Sequence, residues 1–334
     1  MIIGLTYDLR SDYLKEGYNE EETAEFDRES TVEEINRALQ QLGYTTDRIG
    51  HVRHLVNRLA RGDRWNLVFN ISEGMFGIGR EAQVPALLDA FNIPYTFSDP
   101  MVLSLTLHKG MTKRIIRDAG IPTPGFAVVE RESDIAKIDL PYPLFVKPNA
   151  EGTGKGIDAL SKVEAPDQLF AICRNLLKRY PSGLLVEEFL PGREFTVGII
   201  GTGNDSRPIG IMEIIYKQKE TNNIYSYQTK SDYLKTVEYL TPEPEMSASC
   251  FDLALKTWSI LGCRDAGRVD IRVDRFGFPN FIEVNPLAGL DKVHSDLPIL
   301  AYKQGYSFID IIREIMNSAR KRIKDEKDCS NSLQ

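Results

Sequence analysis

Apolar and polar residues alternate along the start of the chain in the two periods expected of a layered α/β protein. An apolar run at 2–5 predicts a buried strand, and apolar residues at helical spacing predict a helix from Ser30 to Leu42. Acidic residues in its first turn and a glycine after its last support these limits. A further apolar run, Leu67 to Ile71, predicts a strand, followed by a glycine-containing loop and a helix near Val84 to Ala90. This order favours a parallel sheet.

A new unit begins after residues 121–124, because each proline of this IPTP segment forces its predecessor out of helical geometry. The pattern beyond it predicts a strand over Leu144 to Pro148, a glycine loop at 151–156, a helix over Pro166 to Tyr180 and a strand over Leu184 to Leu190.

The remaining pattern, after the turn at Pro191 and Gly192, indicates strands and helices around a polar stretch from Lys217 to Thr241. The apolar spacing ends in a helix from Ser307 to Arg322, followed by a tail that we expect to be frayed. The other elements predicted here are strands over Glu194 to Gly201 and Pro208 to Tyr216, a helix near Ser247 to Leu261, and a hairpin pairing Arg268 to Asp274 with Asn280 to Val284.

Composition places the chain among folded globular proteins of two or three domains. Apolar residues make up 42% of the 334 residues and charged residues 27%, which excludes a disordered chain and a typical membrane protein. The net charge of -7 disfavours nucleic acid or an anionic membrane as a partner. No signal-like or membrane-spanning run is present, so we expect a cytoplasmic protein. The four cysteines lack metal-ligand spacing and are expected to be packing residues or idle thiols.

The first candidate site joins Lys147, at a strand end, to the loop EGTGKG at 151–156. Three glycines in this loop let the backbone approach a ligand and turn its amides toward one concavity, and the lysine can neutralise a phosphate. The loop matches neither the P-loop nor the dinucleotide fingerprint. From these residues alone, a phosphate site and an ordinary glycine-rich hairpin remain equally supported.

The predicted hairpin carries a stronger pattern. Glu283 and Asn285 are two apart on one strand and so project from the same face, and the antiparallel partner brings Asp270 opposite them. Three hard oxygen donors suit Mg²⁺. Arg268 projects on that face as well and can clamp a phosphate or a developing oxyanion. The apolar strand around these residues and the loop that follows favour a site over a solvated face of charge pairs.

A third pattern is the apolar strand over Leu184 to Leu190, which breaks into polar residues before a proline-glycine turn. An interdomain hinge beside a flat apolar ligand has this pattern, but so does an ordinary strand end, which the residues alone favour.

Together these segments resemble the ATP-grasp superfamily, and specifically its D-alanine-D-alanine ligase branch. The resemblance is carried by FVKP, EGTGKG, VEEFLPGREFTV, GRVD, EVNP and SDLP, and in the first half by FNISEG, GREAQVPALLDAFNIPYTFSDP and LHKGMTKRIIRDAGIPTP. It implies a mixed α/β and α+β fold with an N-terminal parallel α/β domain over 1–107, a small central domain over 108–190 and an antiparallel-sheet domain over 191–322. Residues 323–334 would form a disordered tail.

The resemblance also implies roles for individual residues at an ATP site. Lys109 and Lys147 would contact the phosphates, and Glu194 would bind the ribose. The hinge would hold the adenine, chiefly through the backbone of Glu188 and Leu190. The residues assigned to ATP in this way are Lys109, Lys147, Glu151, Gly152, Thr153, Gly154, Gly156, Glu187, Glu188, Phe189, Leu190 and Glu194.

Further roles concern the metal and the reaction. Two Mg²⁺ ions, or Mn²⁺ in their place, would be held by Asp270, Glu283 and Asn285. Arg268 would support the phosphoryl group and the tetrahedral intermediate, and Lys230 would belong to a loop that covers the site. Gly289 and Ser295 would receive an amino-acid carboxylate.

The implied activity is an ADP-forming ligation of two amino acids through an acylphosphate, by a homodimer, with D-alanyl-D-alanine as the default product. Two alternatives stay open: a ligase for another amino acid or a peptide, and a non-catalytic nucleotide-binding regulator. The family usually shows His-Gly and Gly-Glu-Asp-Gly where this chain has NISEGMFGIGRE, and a short Ser-rich loop where it has NEEETAEFDREST. Glu25 and Asp27 are the candidates there to meet a substrate amine. The resemblance is therefore closer for the ATP half than for the amino-acid half.

Overall fold

The computed structural model describes residues 1–216 and 237–332. The strands in these ranges are β1 Ile2–Tyr7, β2 Thr45–Gly50, β3 Leu67–Ile71, β4 Phe126–Val129, β5 Leu144–Pro148, β6 Lys162–Val163, β7 Leu184–Glu188, β8 Glu194–Ile200, β9 Arg207–Tyr216, β10 Val237–Leu240, β11 Ala266–Val273 and β12 Pro279–Asn285. The helices are α1 Arg10–Lys15, α2 Glu29–Gln41, α3 Val52–Ala60, α4 Gln83–Ala90, α5 Pro100–Leu107, α6 Lys109–Asp118, α7 Glu132–Ile135, α8 Pro166–Arg179, α9 Pro244–Leu261, α10 Asp296–Lys303 and α11 Phe308–Ser332.

The first sheet is parallel, in the order β2-β1-β3, as the alternation of strands and helices predicts. β1 and β3 are apolar and almost wholly buried, whereas β2 is largely polar and was not predicted. Gly4 lets β2 approach: a Cβ atom there would lie 2.6 Å from Ile49 Cδ1 and 3.0 Å from the Trp65 ring. α2 ends before Gly43, whose φ of 86° lies in the left-handed region.

The second sheet is antiparallel, in the order β4-β7-β5-β6. Its inner face packs on α8 through a small core of Leu144, Val146, Leu169, Cys173 and Val186. β5 and β7 are adjacent, and Lys147 pairs in register with Leu185 and Phe145 with Glu187. Because Glu187 is two residues from Leu185, this register puts Lys147 and Glu187 on the same face of the sheet.

The third sheet has five antiparallel strands, in the order β10-β9-β8-β11-β12. The predicted hairpin is its β11-β12 pair. α9 covers this sheet and inserts Trp258, which is fully buried. Gly267, next to Arg268, accommodates that ring, because a Cβ atom there would lie 2.6 Å from Trp258 Cη2. The hairpin is thus held against a packed helix, which fixes the direction of its outward face.

The last helix, α11, differs from the prediction of an end at Arg322 and a disordered tail over 323–334. It continues to Ser332, since no glycine or proline interrupts the charged sequence and Arg322 pairs with Glu326 one turn on at 3.8 Å. Cys173, Cys250 and Cys263 are buried in apolar cores, as expected of packing residues. In the part of the chain described, none of the helices is long and apolar enough to cross a membrane.

Candidate functional site

Two adjoining cavities lie between the sheets. The first, which we call the intersheet cavity, lies between the second and third sheets and is lined by the ends of β5 and β7, the loop at 151–156 and the β11-β12 hairpin. The second, the adjoining cavity, is lined by residues 24–28 and 284–289, among others. Lys109, Glu151, Gly152 and Glu283 line both cavities. Most of the predicted site residues in the described part of the chain thus line one or the other of two cavities that share part of their walls.

Lys147 lies at the base of the intersheet cavity in a buried three-residue ion network. Its Nζ is 2.8 Å from Glu187 Oε1, and Lys113 Nζ is 2.8 Å from Glu187 Oε2. Each side chain is at most 4% exposed. Although burial disfavours charge, the two lysines hold the pKa of Glu187 below its usual value. Burial lowers the pKa of Lys113 to about 8 despite the attraction of Glu187.

Glu187 lines the intersheet cavity, and its contacts with two lysines orient Lys147. Its predicted contact with ATP stays a prediction. Lys113 was not singled out from the sequence, although it lies four residues after Lys109 on α6. Such spacing puts both residues on one side of a helix and was the available signal.

The hinge after β7 forms an apolar wall of the intersheet cavity. The Phe189 ring lies 6.3 Å from that of Phe145, with Lys162 and Arg272 each 4.9 Å from its centroid. The Glu188 amide donates to Gly125 O at 2.9 Å. An adenine contact at Glu188 would therefore use its carbonyl, and one through an amide would fall on Leu190, which also lines the cavity.

Glu194, the predicted ribose ligand, lies at the rim of the same cavity. Its Oε2 accepts from Tyr216 Oη at 2.7 Å and from Arg272 Nη1 at 3.1 Å. These two contacts hold the carboxylate at the start of β8. Its position beside the apolar wall fits a polar ring attached to a flat apolar group.

The glycine-rich loop forms the roof of the intersheet cavity. Thr153, Gly154 and Gly156 have φ values of 48°, 73° and 68°, all in the left-handed region. A Cβ atom at Gly156 would also lie 2.7 Å from both Pro148 Cγ and Tyr180 Cε2, so glycine is required there. Lys109 Nζ donates to Glu151 O at 2.6 Å and so joins α6 to the loop.

The hairpin brings the predicted oxygen donors together in the expected register. Arg268 pairs with Asn285 and Asp270 with Glu283, and a bulge follows Asp270. Arg268 Nη1 lies 2.7 Å from both Asp270 oxygens, and Asn285 Nδ2 donates to Asp270 Oδ2 at 3.3 Å. Lys109 Nζ lies 3.6 Å from Glu283 Oε2. Arg268 and Lys109 thus form ion pairs with the carboxylates of Asp270 and Glu283.

This donor set fits Mg²⁺. Asp270, Glu283 and Asn285 supply hard oxygen ligands from paired positions of one hairpin, and the 3.3 Å contact of Asn285 Nδ2 with Asp270 Oδ2 shows that the amide group reaches this carboxylate. No group of three or more His, Cys, Asp or Glu side chains at metal-binding distance occurs within residues 1–216 and 237–332. A metal here would therefore need the asparagine, together with water or substrate oxygens.

Gly289 and Ser295, which the family resemblance assigns to a carboxylate-binding corner, line the adjoining cavity with Arg268. Ser295 Oγ accepts from the Asp291 amide at 3.0 Å, and a Cβ atom at Gly289 would lie 2.7 Å from that oxygen. Arg268 also lies 3.4 Å from Asp296, the first residue of α10. Lys230, the remaining predicted residue, lies outside the described residues.

Carboxyl groups of the N-terminal part line the opposite side of the adjoining cavity. Burial, together with Asp291 and Asp8, raises the pKa of Asp27 to about 8. Burial raises the pKa of Glu81 to about 7, and burial with Glu81 and Glu25 raises that of Glu73 well above its usual value. Three carboxyl groups in this cavity thus favour the protonated form or a cationic neighbour.

Comparisons with known proteins agree with this arrangement. Residues 115–317 match the family described as D-ala D-ala ligase C-terminus. The chain is 34% identical over 295 residues to the D-alanine-D-alanine ligase of Syntrophotalea carbinolica, spanning 87% of this chain and 91% of that one. It is 31% identical over 261 residues to an uncharacterised protein of Sinorhizobium fredii, with 77% and 75% covered.

The fold has a close counterpart among solved structures. The D-alanine-D-alanine ligase from Bacillus anthracis complexed with ATP matches with a TM-score of 0.73, covering 98% of this chain and 99% of that chain at 21% identity. The predicted mixed fold, with a parallel sheet followed by two antiparallel ones, is confirmed.

Proposed function

Since this chain belongs to the D-alanine-D-alanine ligase family, we propose that it is an ATP-dependent ligase that joins two amino acids and forms ADP and phosphate. One observation carries the proposal: Lys109, Lys147, Asp270 and Glu283 line one cavity between two antiparallel sheets, and Arg268, which is paired with Asp270, lines the cavity next to it. A module that only binds a nucleotide needs no such combination of phosphate-binding cations and metal-binding oxygens.

ATP lies in the intersheet cavity in this proposal. The apolar wall of Phe145, Phe189 and Leu190 suits the adenine, and Glu194 suits the ribose hydroxyls. Lys147 and Lys109 neutralise the phosphates, and the loop at 151–156 covers them. Positioning and neutralisation of charge are the main contributions that a protein makes to phosphoryl transfer.

Asp270, Glu283 and Asn285 would hold Mg²⁺ beside the phosphates, where it would neutralise their charge and orient the terminal phosphoryl group. Two cationic side chains of the chain lie beside this place. Arg268 and Lys109 balance the carboxylates of the metal-binding pair, at 2.7 Å from Asp270 and 3.6 Å from Glu283.

The reaction follows from the weak electrophilicity of a carboxylate. A carboxylate oxygen of the first amino acid attacks the γ-phosphorus, ADP leaves, and an acylphosphate forms. The amine of the second amino acid then attacks the acyl carbon, and phosphate leaves with the former carboxylate oxygen. Arg268, which lines the adjoining cavity and pairs with Asp270 of the intersheet cavity, stabilises the negative charge on the tetrahedral intermediate, and Gly289 and Ser295 receive the carboxylate of the second amino acid. The closed loop excludes water, which would otherwise hydrolyse the acylphosphate.

D-alanyl-D-alanine is the default product, because several similar proteins are named D-alanine-D-alanine ligase. A second candidate keeps the chemistry but uses another amino acid or a peptide. The adjoining cavity favours it, since Glu73 and Glu81, which line that cavity, belong to the segment in which the chain departs from the family pattern.

Phosphate release from ATP and Mg²⁺, measured with single amino acids and with all pairs, tests the proposal. We expect release that depends on amino acids, with a dipeptide of matching mass. Tight ATP binding without release for any pair would contradict ligation and favour a regulator. Homodimer formation remains a prediction, and sedimentation velocity at several concentrations would test it.

A further inference from the structure

Arg80 is a buried arginine that joins the N-terminal part of the chain to the glycine-rich loop. Its side chain is 7% exposed. Nη1 donates to Ala150 O at 2.9 Å, and Nη2 lies 2.9 and 3.2 Å from the two Glu25 oxygens. The Glu151 carboxylate lies 3.8 Å away. The planar guanidinium therefore bridges two segments that are distant in sequence.

Glu25 contacts the same loop from the other side. Its carboxylate, 6% exposed, accepts from the Gly152 amide at 2.6 Å and lies 3.2 Å from Lys155 Nζ. Burial alone would raise the pKa of Glu25, but Arg80 and Lys155 lower it to about 2. A Cβ atom at Gly152 would lie 2.7 Å from Glu25 Oε1, so the absence of a side chain at Gly152 lets the carboxylate reach the backbone.

These contacts matter because the backbone conformation of the loop costs free energy. Thr153 carries a left-handed φ of 48°, a conformation that costs a residue with a branched side chain free energy and persists only where surrounding contacts impose it. A buried ion pair with one partner removed leaves an uncompensated charge, so Arg80 and Glu25 are strongly dependent on each other.

We propose that Arg80 and Glu25 are positioning residues that hold the glycine-rich loop closed through the backbone at Ala150 and Gly152. The inference rests on the proposed function, because it takes this loop to cover the ATP phosphates. The 20–29 segment then docks at the same time as the loop closes. Neither side chain contacts reacting atoms.

One consequence concerns the substrate amine. The Glu25 carboxylate is engaged with Arg80, Lys155 and the Gly152 amide, so its binding capacity is directed to the loop. Of the two candidates for the amine, Asp27 is then the one favoured. It lines the adjoining cavity beside Asp291 and Arg28.

Amide hydrogen exchange of peptides that cover residues 150–157 tests whether Arg80 and Glu25 hold the loop closed (the loop tie), and it needs no turnover. We expect exchange at least about tenfold faster in Arg80→Met than in the unmodified protein, with Arg80→Lys in between, because the loop opens locally. The control is Arg37→Met, which removes an exposed pair with Glu33 on α2 and leaves exchange unchanged. Equal exchange in Arg80→Met and the unmodified protein would overturn the proposal.

Steady-state kinetics of Glu25→Gln, Arg80→Met and the double variant separate a loop tie from an amine contact. The tie predicts that each single change raises KM for ATP about tenfold, that the double variant is no worse than the poorer single, and that KM for the amino acids changes little. An amino-acid KM raised only by Glu25→Gln would overturn it. Should Arg80→Met fold poorly, Arg80→Lys and Glu25→Gln still decide. If no amino-acid pair supports turnover, the proposed function fails, while the exchange result still tests the tie.

Discussion

The two cavities differ in how their charges are balanced and in how their walls are built. In the intersheet cavity Lys109 and Lys147 each have a carboxylate partner, and most of the charged side chains project from paired strands. In the adjoining cavity Asp27, Glu73 and Glu81 have raised pKa values and come from loops and a helix start. Sheets fix the ATP half of the site, whereas loops set the amino-acid half. Specificity can therefore change without disturbing the nucleotide chemistry.

The largest expected effect comes from Glu283→Gln in the intersheet cavity. Removing the charge of a metal-binding carboxylate should lower kcat by about 100-fold or more, because neutralisation of the phosphates is lost, while the melting temperature stays the same. Glu314→Gln, which alters an exposed pair with Arg207, is the control and should keep full activity. Activity that survives Glu283→Gln would contradict the metal assignment.

The buried network at Lys113 should govern stability. Lys113→Met leaves Glu187 with one of its two cations and removes a 2.8 Å hydrogen bond to Thr123, so unfolding by urea should become easier by about 3 kcal/mol. Lys137→Met removes only an exposed pair with Asp134 and should change stability by less than about 1 kcal/mol. Equal urea midpoints for the two variants would show that the buried network does not stabilise the part of the protein that forms the intersheet cavity.

The apolar wall should affect ATP more than the amino acids. Phe189→Ala removes a ring that two cations flank, and we expect KM for ATP to rise about tenfold with no change in KM for either amino acid. Phe276→Ala, at an exposed turn of the hairpin, is the matched control. A change in the amino-acid KM instead would show that the two cavities are not separate in function.

The last expected effect is in the pH dependence of stability. The pKa of Asp27 is about 8 in the folded protein and about 3.9 in an unfolded chain, so the folded state binds more protons between these values. Stability should therefore fall as the pH rises from 4 through 8. Asp27→Asn mimics the protonated acid, so in thermal melts its stability should fall less than that of the unmodified protein as the pH rises to 8. Parallel curves for the two proteins would rule out this titration.

The site residues on the hairpin could be predicted because strand geometry allows few arrangements of their side chains. The alternation of side chains along a strand puts Glu283 and Asn285 on one face, and antiparallel pairing sets Asp270 and Arg268 opposite, which is the observed register. A single strand pattern was enough, and the bulge after Asp270 did not displace these pairs.

Arg80 and its contact with Glu25 were not predicted from the sequence. The two residues belong to separate loops, and no local period relates them, so only the folded structure shows that they meet. β2 was missed for another reason: its polar residues are only partly buried, which gives no apolar run to recognise.

Transfer of an oxygen isotope tests the central claim, activation of a carboxylate by phosphorylation, most directly. The amino-acid pair that supports turnover is supplied with ¹⁸O in the carboxylate of the first amino acid, and the phosphate released is analysed by mass spectrometry. The account predicts one ¹⁸O atom in each phosphate, since the oxygen that attacks the γ-phosphorus leaves with it. Phosphate without the label, alongside the ligated product, would contradict the account.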